Sequence, residues 1–193
     1  MKLAIPFFRQ TTILNCGPAA LKMVLSYFGN GADLSALEKE CGMKNGKAIA
    51  TIQIATAAAK RGYTVEFYST SVGFNQKNMR FDFYKKYADT SGEKVEDARS
   101  AGVKIYEESL SLDDLQSKLS KNVAAIVLLN WNRVLGKPGF QGHFVPVVGY
   151  DRDKIYVHDP GGKPHVAINL EVFRKSWESE GTDKDVIFIG QKK

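Results

Sequence analysis

An α+β fold, with helices gathered early and strands late, is predicted from three patterns in this chain. Before Gly62, apolar residues recur at helical spacing in successive segments, and Gly29 and Gly62 stop two of them. After residue 120, four short apolar or alternating runs read as strands. The order is helices first and strands second, without strand–helix alternation. That order favours a helical lobe beside an antiparallel sheet lobe, with a cleft between them.

The first helix follows Cys16-Gly17-Pro18. Proline suits the first helical position because its missing N–H has no partner there and its fixed φ fits the helix. Ala19, Leu21, Met23, Val24, Leu25, Tyr27 and Phe28 then predict a helix buried on most sides. A second helix spans Leu34 to Glu40, capped by Asp33 or Ser35, with Glu38 placed for a capping box. A third, alanine-rich helix runs from about Thr51 to Arg61. Tyr63 to Tyr68 alternates and reads as a strand. Phe81, Phe83, Tyr84 and Tyr87 suggest a helix packed by aromatics, and Glu93–Ser100 a polar helix or loop. Leu112–Leu119 is a short capped helix. The later strands are Ala124–Trp131, His143–Asp151, Lys154–His158 and Asp185–Gly190, with a strand-plus-helix piece over His165–Glu178.

Length supports one core and not two, so 1–193 is read as a single domain. Composition is that of a globular protein, 44% hydrophobic and 25% charged, without repeats or low-complexity tracts. No apolar run approaches the roughly 20 residues of a membrane span, and the N-terminus lacks the features of an export signal. Two cysteines make no disulfide framework, which points to a reducing, cytoplasmic setting. The net charge of +6 is spread among mixed lysines and acids, including Lys192-Lys193, and reads as solvated surface. Together with the absence of any aromatic-plus-basic motif, this argues against nucleic acid as a partner. No zinc-like spacing and no cofactor motif is present, so neither a metal nor a cofactor is expected. Oligomeric state is not legible.

Chemistry concentrates in FRQTTILNCGPAALKMVLSYFG. Cys16 stands at the positive end of a helix dipole, which favours thiolate. Gln10, upstream on an extended segment, can fold back to place its amide beside the Cys16 backbone N–H as an oxyanion hole. Cys41, before Gly42 at the end of the second helix, sits at the negative dipole end and is the poorer nucleophile.

A cysteine nucleophile needs a histidine base and a group that orients it. Three histidines exist: His143, His158 and His165. His143 opens a strand after Gly142, and His165 follows the Gly161-Gly162-Lys163-Pro164 turn. The segments GHFVPVVGYD and KIYVHDP flank a tight turn and predict a hairpin. A three-residue loop, Asp151 to Asp153, pairs Tyr150 with Lys154 and Val147 with Val157, and sets His143 and Asp159 on one face. A two-residue loop would put them on opposite faces. The pair therefore demands an odd-length loop or one bulge. His158 faces away from Asp159 in any regular strand.

These residues resemble the cysteine peptidases that process bacteriocin precursors at double-glycine leaders, family 39 of the cysteine peptidases. The family signature runs glutamine, five residues, cysteine, two residues, alanine, three residues, methionine, four residues, aromatic-glycine. Gln10, Cys16, Ala19, Met23, Phe28 and Gly29 fit it, and His143 and Asp159 match its later motifs. Before the cysteine, where the family often has an acid, this chain has Asn15. The chain looks like the freestanding, peptidase-like branch, with neither the transporter nor the ATPase that usually accompany the processing domain. The resemblance implies a papain-like fold, a helical lobe and a sheet lobe with the active site between them. It implies a peptide or protein substrate, with Cys16 as nucleophile, His143 as base and acid, Asp159 as its orienter and Gln10 at the oxyanion. Residues 73–104 exceed the minimal domain and read as an insertion that shapes the cleft. The expected activity is hydrolysis of a peptide or isopeptide bond. Transfer of the acyl group to an amine on the same triad, or peptide binding without chemistry, remain as alternatives.

Overall fold

The structure is a computed structural model that describes residues 1–92 and 94–191. Glu93, where the sequence begins its polar helix, and the terminal Lys192-Lys193 lie outside the described residues. Eight α-helices are described, besides a 3-10 helix at Gln76–Arg80: α1 Cys16–Tyr27, α2 Leu34–Glu40, α3 Thr51–Lys60, α4 Asp82–Tyr87, α5 Lys94–Ser100, α6 Leu112–Lys118, α7 Trp131–Val134 and α8 Leu170–Trp177. The strands are β1 Thr64–Tyr68, β2 Lys104–Tyr106, β3 Val123–Asn130, β4 Gly142–Tyr150, β5 Lys154–Val157, β6 Val166–Asn169 and β7 Val186–Gly190. They form one seven-stranded sheet in the order β2-β1-β7-β3-β4-β5-β6.

The sheet has a packed layer on each face, because its central strands are apolar on both. Along β3, Ala124, Ile126 and Leu128 pack with α1 and α3, while Ala125, Val127 and Leu129 pack with Phe173 and Trp177 of α8. A run of six buried apolar residues, Ala124 to Leu129, is what a strand between two layers requires. This refines the expected two-lobe arrangement. Helices before β1 cover one face and α8 covers the other, and the apolar alternation of α8 (Phe173, Trp177) carries that second layer.

The sheet also departs from pure antiparallel order. β1 and β2 pair in parallel, Glu66 opposite Lys104 and Tyr68 opposite Tyr106. A parallel neighbour needs a long crossover, and residues 69–103, with α4 and α5, supply it. At three residues, β2 is too short to leave a periodic signal in the sequence. Trp131, expected at the end of a strand, instead opens α7. Among the described residues no helix is long and apolar enough to cross a membrane.

The β4–β5 hairpin decides the site. Asp151 N–H donates to Lys154 O (2.9 Å), closing a loop around Arg152-Asp153, and Tyr150 pairs with Ile155. The expected pairing of Tyr150 with Lys154 is therefore off by one residue. A bulge between Val147 and Gly149 restores the register, so that Val147 does face Val157. An extra residue on one strand reverses the facing of everything beyond it. The N-terminal segment seals the bulge: Leu3 N–H donates to Val148 O (2.8 Å) and Tyr150 N–H to Met1 O (3.0 Å). Position 149 must be glycine for this approach, since a Cβ there would lie 2.6 Å from Met1 O.

Candidate functional site

The helix that carries Cys16 starts slightly earlier than its sequence suggests. Asn15 is the N-cap and Cys16 the first helical residue, so Pro18 falls third, still among the positions whose N–H has no helical partner. Asn15 does not cap the helix with its side chain. Its Oδ1 accepts from the N–H groups of Thr11 (3.2 Å) and Thr12 (3.0 Å), and its Nδ2 donates to Thr11 Oγ1 (2.9 Å) and Glu38 Oε1 (2.6 Å). Fully buried, Asn15 folds the loop between Gln10 and Cys16 and ties it to α2. Glu38 is thereby used by Asn15, and Asp33, the observed N-cap of α2, makes no side-chain cap bond.

His143 and Asp159 meet as the bulged register requires. His143 Nε2 lies 2.8 Å from Asp159 Oδ1. Nδ1 is the ring nitrogen left for Cys16, whose thiol pKa is lowered by His143. Asp159 Oδ1 also accepts from Gly161 N–H (2.9 Å), and Gly162 N–H donates to Asp159 O (3.0 Å), so a tight turn holds the carboxylate. A Cβ on Gly162 would stand 2.2 Å from Asp159 Oδ2. Only glycine leaves room for the carboxylate there. The indole of Trp131 covers His143, with ring centroids 4.9 Å apart.

Burial pushes the Cys16 thiol up. The hydrogen bond and charge of His143, with the N–H groups of Phe144 and Gly17, more than offset that and bring it below its ordinary value. Burial pulls His143 down, yet the Asp159 carboxylate and the Cys16 sulfur raise it to about 9. Opposite displacements in one touching pair favour thiolate beside imidazolium.

Gln10 reaches the same corner by a different route. Its backbone N–H donates to Pro160 O (2.9 Å), fixing the extended segment against the Asp159 turn. One amide N–H of its side chain donates to Thr12 O (2.7 Å), and its Oε1 is buried without a partner. The structure thus brings Cys16, His143 and Asp159 into one relay and holds Gln10 against the turn that carries Asp159.

The other histidines are placed elsewhere. His158 is fully buried: Nε2 donates to Ile5 O (2.8 Å), and Nδ1 accepts from His165 N–H (3.1 Å). Both nitrogens are spent on neutral bonds, and burial pulls its pKa down. His165 is exposed on the turn.

A cavity of roughly 570 Å³ adjoins Cys16. The segment singled out as an insertion, 73–104, contributes Phe74, Phe83 and Val95 to its wall. Phe81, Phe83 and Tyr84 pack on Phe140, and Asn75 and Asn78 each donate to the Asp183 carboxylate at 2.8 Å. Gly162 and the acids that line this cavity were not singled out by the sequence, and Asn15 was noted only as standing where the family often has an acid. Gly161-Gly162 reads there only as a turn, and Asp185 only as the polar start of an apolar strand.

Comparison with known proteins gives two results. A family model described as guanylylate cyclase matches residues 5–189. Among solved structures, the chain is similar to a double-glycine motif protease from an AMS/PCAT transporter, determined in complex with the leader peptide. That match has 18% identity and a TM-score of 0.57 over 98% of this chain and 94% of that one. The peptidase domain of Streptococcus ComA, a bi-functional ABC transporter involved in a quorum-sensing pathway, matches at 16% identity. Its TM-score is 0.58 over 97% and 99% of the two chains. A C39-like peptidase from Bacillus anthracis matches at 15% identity and TM-score 0.57 over 100% and 98%. The fold is therefore the papain-like fold of the C39 peptidase domains, as the sequence resemblance implied.

Proposed function

The chain belongs to the family described as guanylylate cyclase, and from the residues that family membership brings together here we propose a thiol hydrolase that cleaves a peptide or isopeptide bond. The carrying observation is the Cys16–His143–Asp159 relay, in which the thiol is displaced downward and the imidazole upward. Thiolate Cys16 attacks the carbonyl carbon. The Cys16 N–H, at the start of α1, and the amide of Gln10 stabilise the developing oxyanion. His143 gives its Nδ1 proton to the leaving amine, while Nε2–H stays on Asp159, and then draws a proton from the water that releases the acyl group. Trp131 keeps bulk water from the imidazole.

In this reading 1–193 is one domain, and residues 73–104 are an insertion that supplies one wall of the substrate cleft. The leader peptide bound by the AMS/PCAT protease supports a peptide or protein as the substrate class. Cys16 and Cys41 are both free, in keeping with a reducing, cytoplasmic setting.

Guanylate cyclisation, the reaction in the family's description, makes other demands. It closes a nucleoside triphosphate on itself, and its leaving phosphates are normally neutralised by cations held on carboxylates. Among the described residues no group of three or more His, Cys, Asp or Glu is arranged to hold a metal ion. The cavity beside Cys16 instead presents four acids, Asp89, Glu96, Asp183 and Asp185, against one lysine, Lys94, a balance that repels a triphosphate. The residues present fit amide chemistry, and no step is drawn through a nucleotide.

The test is active-site labelling with a library of peptide electrophiles, with Cys16→Ala as the blank. Labelling confined to Cys16 and dependent on peptide sequence is the expected result. Cleavage of the same substrate by Cys16→Ala at the wild-type rate would sink the proposal. Product analysis with and without an added amine separates hydrolysis from acyl transfer.

A further inference from the structure

The cavity beside Cys16 has apolar walls, among them Ile13, Leu14, Phe74 and Phe144, and it is also lined by four acids, Asp89, Glu96, Asp183 and Asp185, and by Lys94. Asp185 is 9% exposed. Its Oδ2 accepts a hydrogen bond from Thr51 Oγ1, and its Oδ1 is buried with no hydrogen-bond partner. The Ser69 hydroxyl lies near but donates to Ser71 O at 2.9 Å. A buried carboxylate oxygen left unpaired is costly, and such groups mark places where a ligand completes the bonding. Burial pushes this carboxyl up to about 7, against the pull of Ser69 and Thr51.

Lys94, the cation that lines the cavity, is held by Asp89 and leaves Asp183 and Asp185 unanswered. Among the described residues, no lysine or arginine forms an ion pair with either. Lys184 pairs with Glu178 (3.1 Å), Lys94 with Asp89 (3.8 Å), and Arg80 with Glu180. Asp183 is satisfied by the amides of Asn75 and Asn78, which leave its charge in place.

The sheet supplies a ruler. Phe144, whose N–H meets the Cys16 sulfur, faces Leu128 across β3–β4. Leu128 N–H in turn donates to Asp185 O at 3.2 Å. Two strand spacings put Asp185 about 10 Å from Phe144. Asp185 alternates in phase with Ile187 and Ile189, which pack on the α1 and α3 face, the same face as Cys16. A carbonyl held at Cys16 thus has, one long side chain away, an unpaired carboxylate at the end of an apolar passage.

We propose that Asp185, backed by Asp183, is the recognition end of a pocket for a lysine- or arginine-type side chain on the residue whose carbonyl Cys16 attacks. The proposal rests on the thiol-hydrolase reading and names its substrate class. The apolar walls take the aliphatic stem, and the carboxylate oxygen left free by Thr51 takes the cationic end.

The experiment compares two peptidyl acyloxymethyl ketones, identical except for lysine or norleucine next to the electrophile, on the full chain, reading Cys16 adducts by intact mass. The lysine probe is expected to react at least about tenfold faster. The ratio should collapse toward one in Asp185→Asn and persist in Asp185→Glu. Equal rates in wild type, or a norleucine preference, overturn the proposal without any variant, and so does an undiminished ratio in Asp185→Asn. Calorimetry with the matching non-reactive lysine and norleucine peptide amides reads the pocket with no chemistry at Cys16. Iodoacetamide reactivity of Cys16 reads the thiol with no pocket. Failure of the one is therefore distinct from failure of the other.

Discussion

Cys16 and Cys41 are both buried, at 6% and 2% exposure, and both stand at the end of a helix, yet their thiols move in opposite directions. Cys41 is the C-cap of α2, where Gln53 Nε2 donates to its carbonyl (2.7 Å) and, among the described residues, no donor is shown at its sulfur. Burial and the Glu40 charge push it up to about 12. Cys16 suffers the same burial, but it opens a helix, and His143 with two backbone N–H groups faces its sulfur. Burial alone makes a thiol inert. What separates the two is the set of donors that tertiary structure brings to one sulfur and withholds from the other.

Removing the sulfur gives the largest effect on that contrast. At pH 7 a thiol titrating at about 12 is ionised to roughly one part in 10⁵. Iodoacetamide should therefore alkylate Cys16 at least about a thousandfold faster than Cys41, as read by peptide mass mapping, and Cys16→Ala should lose all peptidase activity. Comparable alkylation of both cysteines would break the contrast outright.

Next comes His143→Ala, which leaves Cys16 with burial and fewer donors, as in Cys41. Turnover should fall by about a thousandfold or more, and the pH at which Cys16 becomes alkylatable should rise. In the wild type, activity should climb with pH as Cys16 ionises, below the usual thiol range. It should decline as the imidazolium loses its proton near pH 9. Asp159→Asn removes a cause of the raised histidine pKa, so its alkaline limb must move to lower pH.

Gln10→Ala should slow turnover about a hundredfold, the loss of one oxyanion donor at ~2.7–4 kcal/mol, while Cys16 alkylation stays fast. Such a split between chemistry and nucleophile ionisation shows up in single-turnover kinetics. Gly162→Ala should cost roughly tenfold to a hundredfold, because the carboxylate of Asp159 must move away from a Cβ at 2.2 Å. It should shift the alkaline limb in the same direction as Asp159→Asn. An unchanged pH profile would show that the turn does not hold Asp159.

Asn15→Ala gives the smallest effect on chemistry. It strips partners from Glu38 and from two loop N–H groups, at a stability cost of about 1–3 kcal/mol measurable by urea unfolding. Turnover per folded molecule should fall less than in any variant above.

Local patterns carried much of this fold. The capped helix α6 and the apolar run of β3 are each readable from neighbours within a few residues, and the start of α1 is readable to within two. The hairpin was legible as a condition, an odd loop or one bulge, and the bulge met it. β2 escaped because its three residues pair with a strand more than thirty positions away. Glu38 looked like half of a capping box and proved to be a partner of Asn15, a long-range contact that outweighed the local one.

By itself, the sequence determined most of the elements, the order of helices before strands, and which cysteine opens a helix. All of these depend on residues spaced by one or two turns or by the strand repeat, so short-range periodicity encodes them. Only the tertiary structure decided that His143 meets Asp159, that Gly162 must be bare, and that Asp185 keeps an oxygen free beside the Cys16 cleft. Those outcomes hang on register, close approach and burial between segments far apart in the chain, which no local pattern specifies.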